Sequence, residues 1–148
     1  MTLVKDILSA KPPGVYAVTP TDSVSHVLAL LREHVIGALM VIDGGELVGI
    51  VSERDCAIRI ALPGLDAREV RVADIMTRNV ITIDPLQRLE KCMSEMTQRD
   101  IRHLPVVEAG RVIGMVSIGD VVKAMLREQR RHIDYLEAYI KGHANPYA

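Results

Sequence analysis

Residues 49–55 read Gly-Ile-Val-Ser-Glu-Arg-Asp, and residues 114–120 read Gly-Met-Val-Ser-Ile-Gly-Asp. The two stretches share a Gly-x-x-Ser-x-x-Asp pattern at an offset of 65 residues. The match extends outward, because residues 15–58 align with residues 80–123 at this offset without a gap. A repeat of this kind indicates one structural unit that the chain uses twice.

The repeat rests on ten identical pairs, and several of the other pairs exchange one aliphatic side chain for another. The identical pairs are Val15/Val80, Pro20/Pro85, Ile36/Ile101, Leu39/Leu104, Val41/Val106, Gly45/Gly110, Gly49/Gly114, Val51/Val116, Ser52/Ser117 and Asp55/Asp120. A further match upstream has an offset of 68, so the first copy carries about three extra residues around Lys11 to Gly14. This insertion has the Pro-Pro-Gly composition of a turn.

Hydrophobic periodicity changes in the same order within each copy, which predicts a β-α-β-β-α unit. The first copy predicts elements at 15–18, 22–34, 38–42, 47–51 and 53–60, and the second at 80–83, 87–98, 104–107, 112–116 and from 118 onward. We therefore expect an α+β fold of two tandem repeats related by a pseudo-twofold axis, with a C-terminal helical extension. The expected boundaries are 1–61 for the first repeat, 62–71 for a linker, 72–126 for the second repeat and 127–148 for the C-terminal helix and tail.

Composition excludes several classes of function. The net charge is −1, from 18 basic and 19 acidic residues that are mixed along the chain, so no field steers it to nucleic acid or to anionic lipid. Neither a membrane-spanning run nor a signal-peptide pattern is recognisable. Cys56 and Cys92 lack metal-ligand spacing and favour a reducing compartment. These features predict a cytoplasmic protein.

The element order, the tandem pairing and the two Gly-x-x-Ser-x-x-Asp signatures resemble the CBS domain pair, or Bateman module, of the stand-alone two-repeat type. The resemblance covers nearly everything from Val4 to about Leu126. It implies an adenine nucleotide bound in the cleft between the repeats, and a homodimer in which two modules form a flat disc.

The serine and aspartate of each signature allow two interpretations. Ser52 or Ser117 is suited to cap a helix, with Asp55 or Asp120 reaching back to the cap amide. The same groups suit a ribose phosphate, since a helix N-terminus and a serine hydroxyl favour phosphate. A carboxylate accepts hydrogen bonds from both hydroxyls of a ribose diol.

The family resemblance implies two ligand sites, each combining the signature of one copy with the first strand and the hairpin entry of the other. Site one is expected to comprise Ser52, Asp55, Asn79, Ile81, Arg102 and His103. Site two is expected to comprise Gly14, Tyr16, Gly37, Ala38, Ser117 and Asp120.

The two expected sites differ in charge. Arg102 and His103 align with Gly37 and Ala38, so cationic partners for phosphate are predicted in site one alone. Both residues are also compatible with a purely structural place ahead of an edge strand. Tyr16 either stacks on a base in site two or fills the core.

These features predict a regulatory, signal-transducing module that binds AMP, ADP, ATP or NAD(H) and acts on an unknown client protein. The alternative is a ligand-independent scaffold that dimerises or docks a client through its C-terminal helix. We predict neither an enzyme nor a catalytic cofactor or metal, because no nucleophile with a base, paired carboxylates or ligand cluster is recognisable. The nucleotide is thus expected as a regulatory ligand.

Overall fold

The computed structural model describes residues 1–144, with side chains described as far as residue 142. The α-helices are α1 (Val4–Ser9), α2 (Val24–His34), α3 (Glu53–Cys56), α4 (Leu89–Arg99) and α5 (Ile118–Ala144). The strands are β1 (Ala17–Val18), β2 (Ala38–Asp43), β3 (Glu46–Ser52), β4 (His103–Glu108) and β5 (Arg111–Ser117). A π-helical turn, Ala57–Ala61, continues α3, and a 3-10 turn spans Val72–Asp74. The α+β class and the C-terminal helix are confirmed.

The chain packs as two compact units. The β1 unit comprises Gly14–Thr82 with Pro105–Gly114, and the α5 unit comprises Met1–Pro13, Ile83–Leu104 and the chain from Met115 onward. Neither unit is continuous in sequence, because the N-terminal segment belongs with α4 and α5. The domain boundaries drawn from the repeat stay a prediction.

A three-stranded sheet forms the centre of the β1 unit. Strand β1 pairs in parallel with β2, and β2 pairs antiparallel with β3. The turn between β2 and β3 has φ of 57° at Gly44 and 84° at Gly45, a left-handed conformation that glycine adopts without a steric penalty. The core of the β1 unit contains buried side chains that include Val18, Val24, Val27, Leu31, Val41, Val51, Cys56, Ile60, Val72, Ile75 and Met76.

The predicted linker is a packed part of the β1 unit. The amide of Val24 donates to Val70, and the amide of Ser25 donates to Ala67, so the start of α2 is tied to this segment. Ala67 and Val70 are partly buried against the core of the unit.

The α5 unit is organised around helices. Val4 and Ile7 of α1 are buried, and the Val4 amide donates to the carbonyl of Gln87 over 2.8 Å. Helix α4 buries Leu89 and Cys92. Both cysteines of the chain are free and buried, and burial raises the pKa of the Cys92 thiol to about 11.

The predicted strand at 80–83 is wrong. These residues form no regular strand, and the Val80 amide donates over 3.0 Å to the carbonyl of Arg78 in a local turn. Ile83, which is 5% exposed, forms a single β-bridge, whereas Val80 and Ile81 are half-buried without strand pairing. In the second copy the hairpin of β4 and β5 is therefore a two-stranded sheet.

Helix α5 runs without a break from Ile118 to Ala144, so the second repeat and the C-terminal extension share one helix. Glycine and proline commonly end helices, but α5 passes through Gly142, and Pro146 lies outside the described residues. Within residues 1–144, no helix combines the length and the apolar character needed to cross a membrane.

Candidate functional site

The first signature forms a capping box at the junction of β3 and α3, as predicted. The Asp55 amide donates to Ser52 Oγ over 3.2 Å, and Asp55 Oδ2 accepts from the Ser52 amide over 2.9 Å. The Ser52 hydroxyl also donates to Asp55 Oδ2 over 3.0 Å. Ser52 has the extended backbone of an N-cap, because a strand ends there and a helix begins.

The second signature forms the same cap between β5 and α5 with a different second donor. The Ser117 amide donates to Asp120 Oδ2 over 2.8 Å, and the Asp120 amide donates to Ser117 Oγ over 3.2 Å. Lys11 Nζ also donates to Asp120 Oδ2, over 2.7 Å, and to the main-chain oxygen of Met115, over 2.7 Å. The serine hydroxyl is the second donor at Asp55, whereas a lysine ammonium is the second donor at Asp120.

These contacts determine the charge of Asp120. Burial raises the pKa of the Asp120 carboxyl, but the hydrogen bonds from Lys11 and Ser117 and the positive charge of Lys11 lower it more. The net pKa lies below the ordinary value for aspartate. Asp120 is therefore ionised near neutral pH although its side chain is only 15% exposed.

The start of each hairpin is attached to the helix of its own copy. The Glu53 amide donates to the carbonyl of Gly37 over 3.0 Å, and the Ile118 amide donates to the carbonyl of Arg102 over 2.9 Å. Gly37 is thus held at the start of α3, and Arg102 is held at the start of α5. The side chain of Arg102 is exposed.

Each expected site draws residues from both packed units, so its assembly stays a prediction. The β1 unit contains Ser52, Asp55, Asn79 and Ile81 of site one, with Gly14, Tyr16, Gly37 and Ala38 of site two. The α5 unit contains Arg102 and His103 of site one, with Ser117 and Asp120 of site two. Asn79 and Gly14 are exposed, Ile81 and His103 are half-buried, and Ala38 is fully buried in β2.

Tyr16 is not a core residue, because it is 39% exposed. Its ring stacks on the ring of His34, with centroids 4.0 Å apart and planes inclined by 23°. The stacking holds the tyrosine ring in a defined orientation ahead of β1. Whether a base stacks there stays a prediction.

Two residues near the expected sites were missed from the sequence. Lys11 lies 109 positions before Asp120, and the one signal for it was the insertion that only the first copy carries. His34 lies at the end of α2 and was read as part of a helix. No sequence pattern pointed to its stacking on Tyr16.

The comparisons with known proteins assign this architecture to a family. The model of the CBS domain matches residues 4–61 and 72–127. The chain therefore belongs to the CBS domain family and contains two CBS repeats. CBS pairs are regulatory modules and not catalytic ones.

Several relatives span most of the chain. It is 37% identical over 150 residues to the mitochondrial CBS domain-containing protein CBSX3 of Arabidopsis thaliana, covering 95% of this chain and 73% of the relative. A solved protein with CBS domains from Burkholderia ambifaria has a TM-score of 0.83 and 43% identity, covering 86% of this chain and 96% of that one. The CBS domain pair of protein MJ0100, solved with 5′-methylthioadenosine and S-adenosyl-L-methionine, has a TM-score of 0.74 and 35% identity. That match covers 86% of this chain and 98% of the solved domain pair.

Proposed function

We propose that this chain is a regulatory module whose two serine–aspartate pairs bind an adenine nucleotide, namely AMP, ADP, ATP or NAD(H). The observation that carries the proposal is the repeated cap. At the start of α3 and again at the start of α5, it holds a partly buried carboxylate beside a serine. The two ligands in the MJ0100 structure share an adenosine group, and therefore a ribose diol.

The capping role and the ribose role are compatible. In both copies the cap uses Oδ2 of the aspartate. An ionised carboxylate offers about four acceptor positions on its two oxygens. A capping aspartate therefore retains capacity for ribose hydroxyls, and the cap holds the carboxylate in one orientation before a ligand arrives.

The proposed site residues remain those expected from the family. For site one they are Ser52, Asp55, Asn79, Ile81, Arg102 and His103, and for site two Gly14, Tyr16, Gly37, Ala38, Ser117 and Asp120. The ligand acts as a signal: it shifts the conformation of the module and thereby the activity of a client protein.

The proposal includes a cytoplasmic homodimer, and α5 is the element that supports dimerisation. Helix α5 carries a row of apolar side chains that are 42–61% exposed: Ile118, Val122, Leu126, Ile133, Leu136 and Ile140. Six large apolar side chains on one helix face are typical of a surface that a partner covers. The same row supports the second candidate function, a scaffold that needs no ligand.

Thermal melting with a nucleotide panel tests the proposal. A ligand that binds only the folded chain raises the melting midpoint with its concentration. We expect AMP, ADP, ATP or NAD(H) to raise the midpoint of the wild type, and the double variant D55N/D120N to respond much less. Asparagine keeps an oxygen for each cap but loses the charge that binds the diol.

The control for loss of charge is D43N, since Asp43 is exposed in the turn region of β2. It should respond as the wild type does. If no adenine compound moves the midpoint of the wild type, the sensor is rejected in favour of the scaffold. Mass spectrometry of small molecules released from the purified protein would name the ligand.

A further inference from the structure

Lys11 occupies a position that the second copy does not reproduce. It belongs to the turn insertion before β1, and the residue at the matching position of the second copy is Met76 or Asn79, depending on which offset is applied. Neither of these carries a charge. The lysine–aspartate pair is therefore particular to the second signature, and it lies entirely within the α5 unit.

The donors and acceptors of the pair are only partly used. A lysine ammonium has three N–H donors, and two of those of Lys11 go to Asp120 Oδ2 and to the Met115 carbonyl. The side chain of Lys11 is 35% exposed, and its ammonium keeps a third donor for a ligand. Asp120 retains acceptor capacity beyond the hydrogen bonds to Oδ2.

This combination matches a vicinal diol. Each hydroxyl of a ribose both donates and accepts a hydrogen bond, whereas aspartate only accepts and lysine only donates. Lys11 Nζ and Asp120 Oδ2 lie 2.7 Å apart, so the two side chains can bind one diol together. The lysine then donates to one hydroxyl, and the aspartate accepts from the other. The pair is also close to neutral, so a ligand covers it without burying an unpaired charge.

We propose that Lys11 is a ribose-binding residue of the second site, where it donates to one hydroxyl of the diol while Asp120 accepts from the other. The inference rests on the proposed function, since it assumes an adenine nucleotide at Asp120. The sequence predicted cationic ligand-binding residues in site one alone, whereas Lys11 adds a cation to the second site. The second site is then the more selective of the two for an intact ribose.

The test isolates the second signature by titrating AMP into the full-length D55N variant, in which the first aspartate has lost its charge. K11M is then added to this background, because methionine keeps the length and apolar stem of lysine without its donors. K5M is the matched control, since Lys5 lies on the neighbouring helix α1 with an exposed side chain. K11R tests whether another cation restores binding.

We expect K11M to weaken AMP binding about tenfold or more, the usual range for losing a hydrogen bond to a charged group. K5M should leave the affinity unchanged, and K11R should restore part of it. The penalty for replacing AMP by 2′-deoxy-AMP or 3′-deoxy-AMP should shrink in K11M for the hydroxyl that Lys11 contacts. Thermal melting without ligand establishes that each variant is folded.

Three results would overturn the inference while leaving the proposed function standing. The first is an unchanged AMP affinity in K11M. The second is a tighter AMP affinity in K11M, which would make Lys11 a competitor of the ligand for Asp120. The third is loss of all AMP binding in D55N alone. If the wild type itself bound no adenine compound, the proposed function would fail first.

Discussion

A Cβ atom added to Gly49 would lie 3.0 Å from the carbonyl oxygen of Thr77 and 2.6 Å from the sulfur of Met76. Thr77 cannot easily withdraw, because its amide and carbonyl both hydrogen bond to Ile50, over 2.9 Å and 3.0 Å. Met76 is nearly buried in the core of the β1 unit. The glycine of the first signature is thus required by the close approach of a neighbouring main chain.

The substitution G49A should therefore destabilise the fold by about 1–3 kcal/mol, the usual cost of overpacking a close contact. Urea unfolding followed by circular dichroism measures the change. The control is G142A in α5, where an added Cβ meets nothing within 4 Å. That substitution should be neutral or stabilise by up to about 1 kcal/mol. Equal stabilities for G49A and the wild type would contradict the proposed steric cause.

Val35 should tolerate replacement by glycine with a gain in stability. It ends α2 at φ 53°, a left-handed conformation that is strained for a β-branched residue. Its side chain is 89% exposed, so little packing is lost on removing it. Asp100, the aligned residue of the second copy, has nearly the same φ, 52°, and tolerates it better.

We expect V35G to raise the free energy of unfolding by about 0.5–1 kcal/mol, because glycine relieves the left-handed strain. The greater freedom of glycine in the unfolded chain offsets part of this gain. K123G provides the contrast, because Lys123 is exposed inside α5 and outside the apolar row, where glycine should cost about 0.5–1 kcal/mol. A loss of stability in V35G would show that the valine makes contacts that outweigh its strain.

The elements of the fold were predictable because periodicity and the repeat act locally. The strands predicted at 38–42 and 47–51 and the capping boxes of Ser52 and Ser117 depend on residues within a few positions of one another, and the structure contains all of them. The strand expected at 80–83 failed for a different reason. Ile83 is buried and forms a single β-bridge, and an apolar pattern alone does not distinguish one bridge from a paired strand.

The contacts of the candidate site were harder to predict, since they depend on which distant segments pack together. Lys11 meets Asp120 because the N-terminal segment belongs to the α5 unit and not to the unit that contains the rest of its own copy. A repeat in the sequence does not contain that information. The stacking of Tyr16 on His34 likewise depends on the placement of α2 beside β1.

Asp120 should make the stability of the chain depend on pH in the acid range. Its pKa is lowered in the folded state, so its stabilising contribution is fully present above the unfolded pKa, about 3.9. That contribution is lost as the pH falls through the folded pKa. We expect the wild type to exceed D120N in its free energy of unfolding by about 1–3 kcal/mol at pH 6, because the hydrogen bond from the Lys11 ammonium loses its charged acceptor.

The difference between wild type and D120N should then shrink steadily below about pH 4. K11M should reduce the dependence on pH, because Lys11 is a main cause of the lowered pKa. Urea unfolding at several pH values measures both effects. A difference that stays constant down to pH 2 would contradict the assignment of the shift to Asp120.

Arg102 should discriminate between ligands with and without phosphate. Its carbonyl accepts a hydrogen bond from the Ile118 amide, which fixes the main chain, while its side chain is exposed. The guanidinium is therefore available to bind an anion. We expect R102A to weaken AMP about tenfold and adenosine hardly at all, because a guanidinium pairs strongly with phosphate oxygens. R127A, from the exposed part of α5, is the control. An equal effect on AMP and adenosine would remove Arg102 from the phosphate position.

The proposed homodimer should depend on the exposed apolar row of α5. At 3.6 residues per turn, Leu126, Ile133, Leu136 and Ile140 lie on one face of the helix. Val121 and Ala124 lie outside this row and are buried, so the helix packs in its own unit through other side chains.

We expect L136E/I140E to raise the dissociation constant of the dimer roughly a hundredfold or more, since each large apolar side chain contributes about 1.5–3 kcal/mol on burial. Sedimentation equilibrium over a range of concentrations measures it. Y135E is the control, because Tyr135 is 67% exposed on another side of the helix, and it should dimerise as the wild type does. If the wild type stays monomeric at every concentration, the apolar row of α5 does not form a dimer interface. A client protein would then be its expected partner, which favours the scaffold over the dimeric sensor.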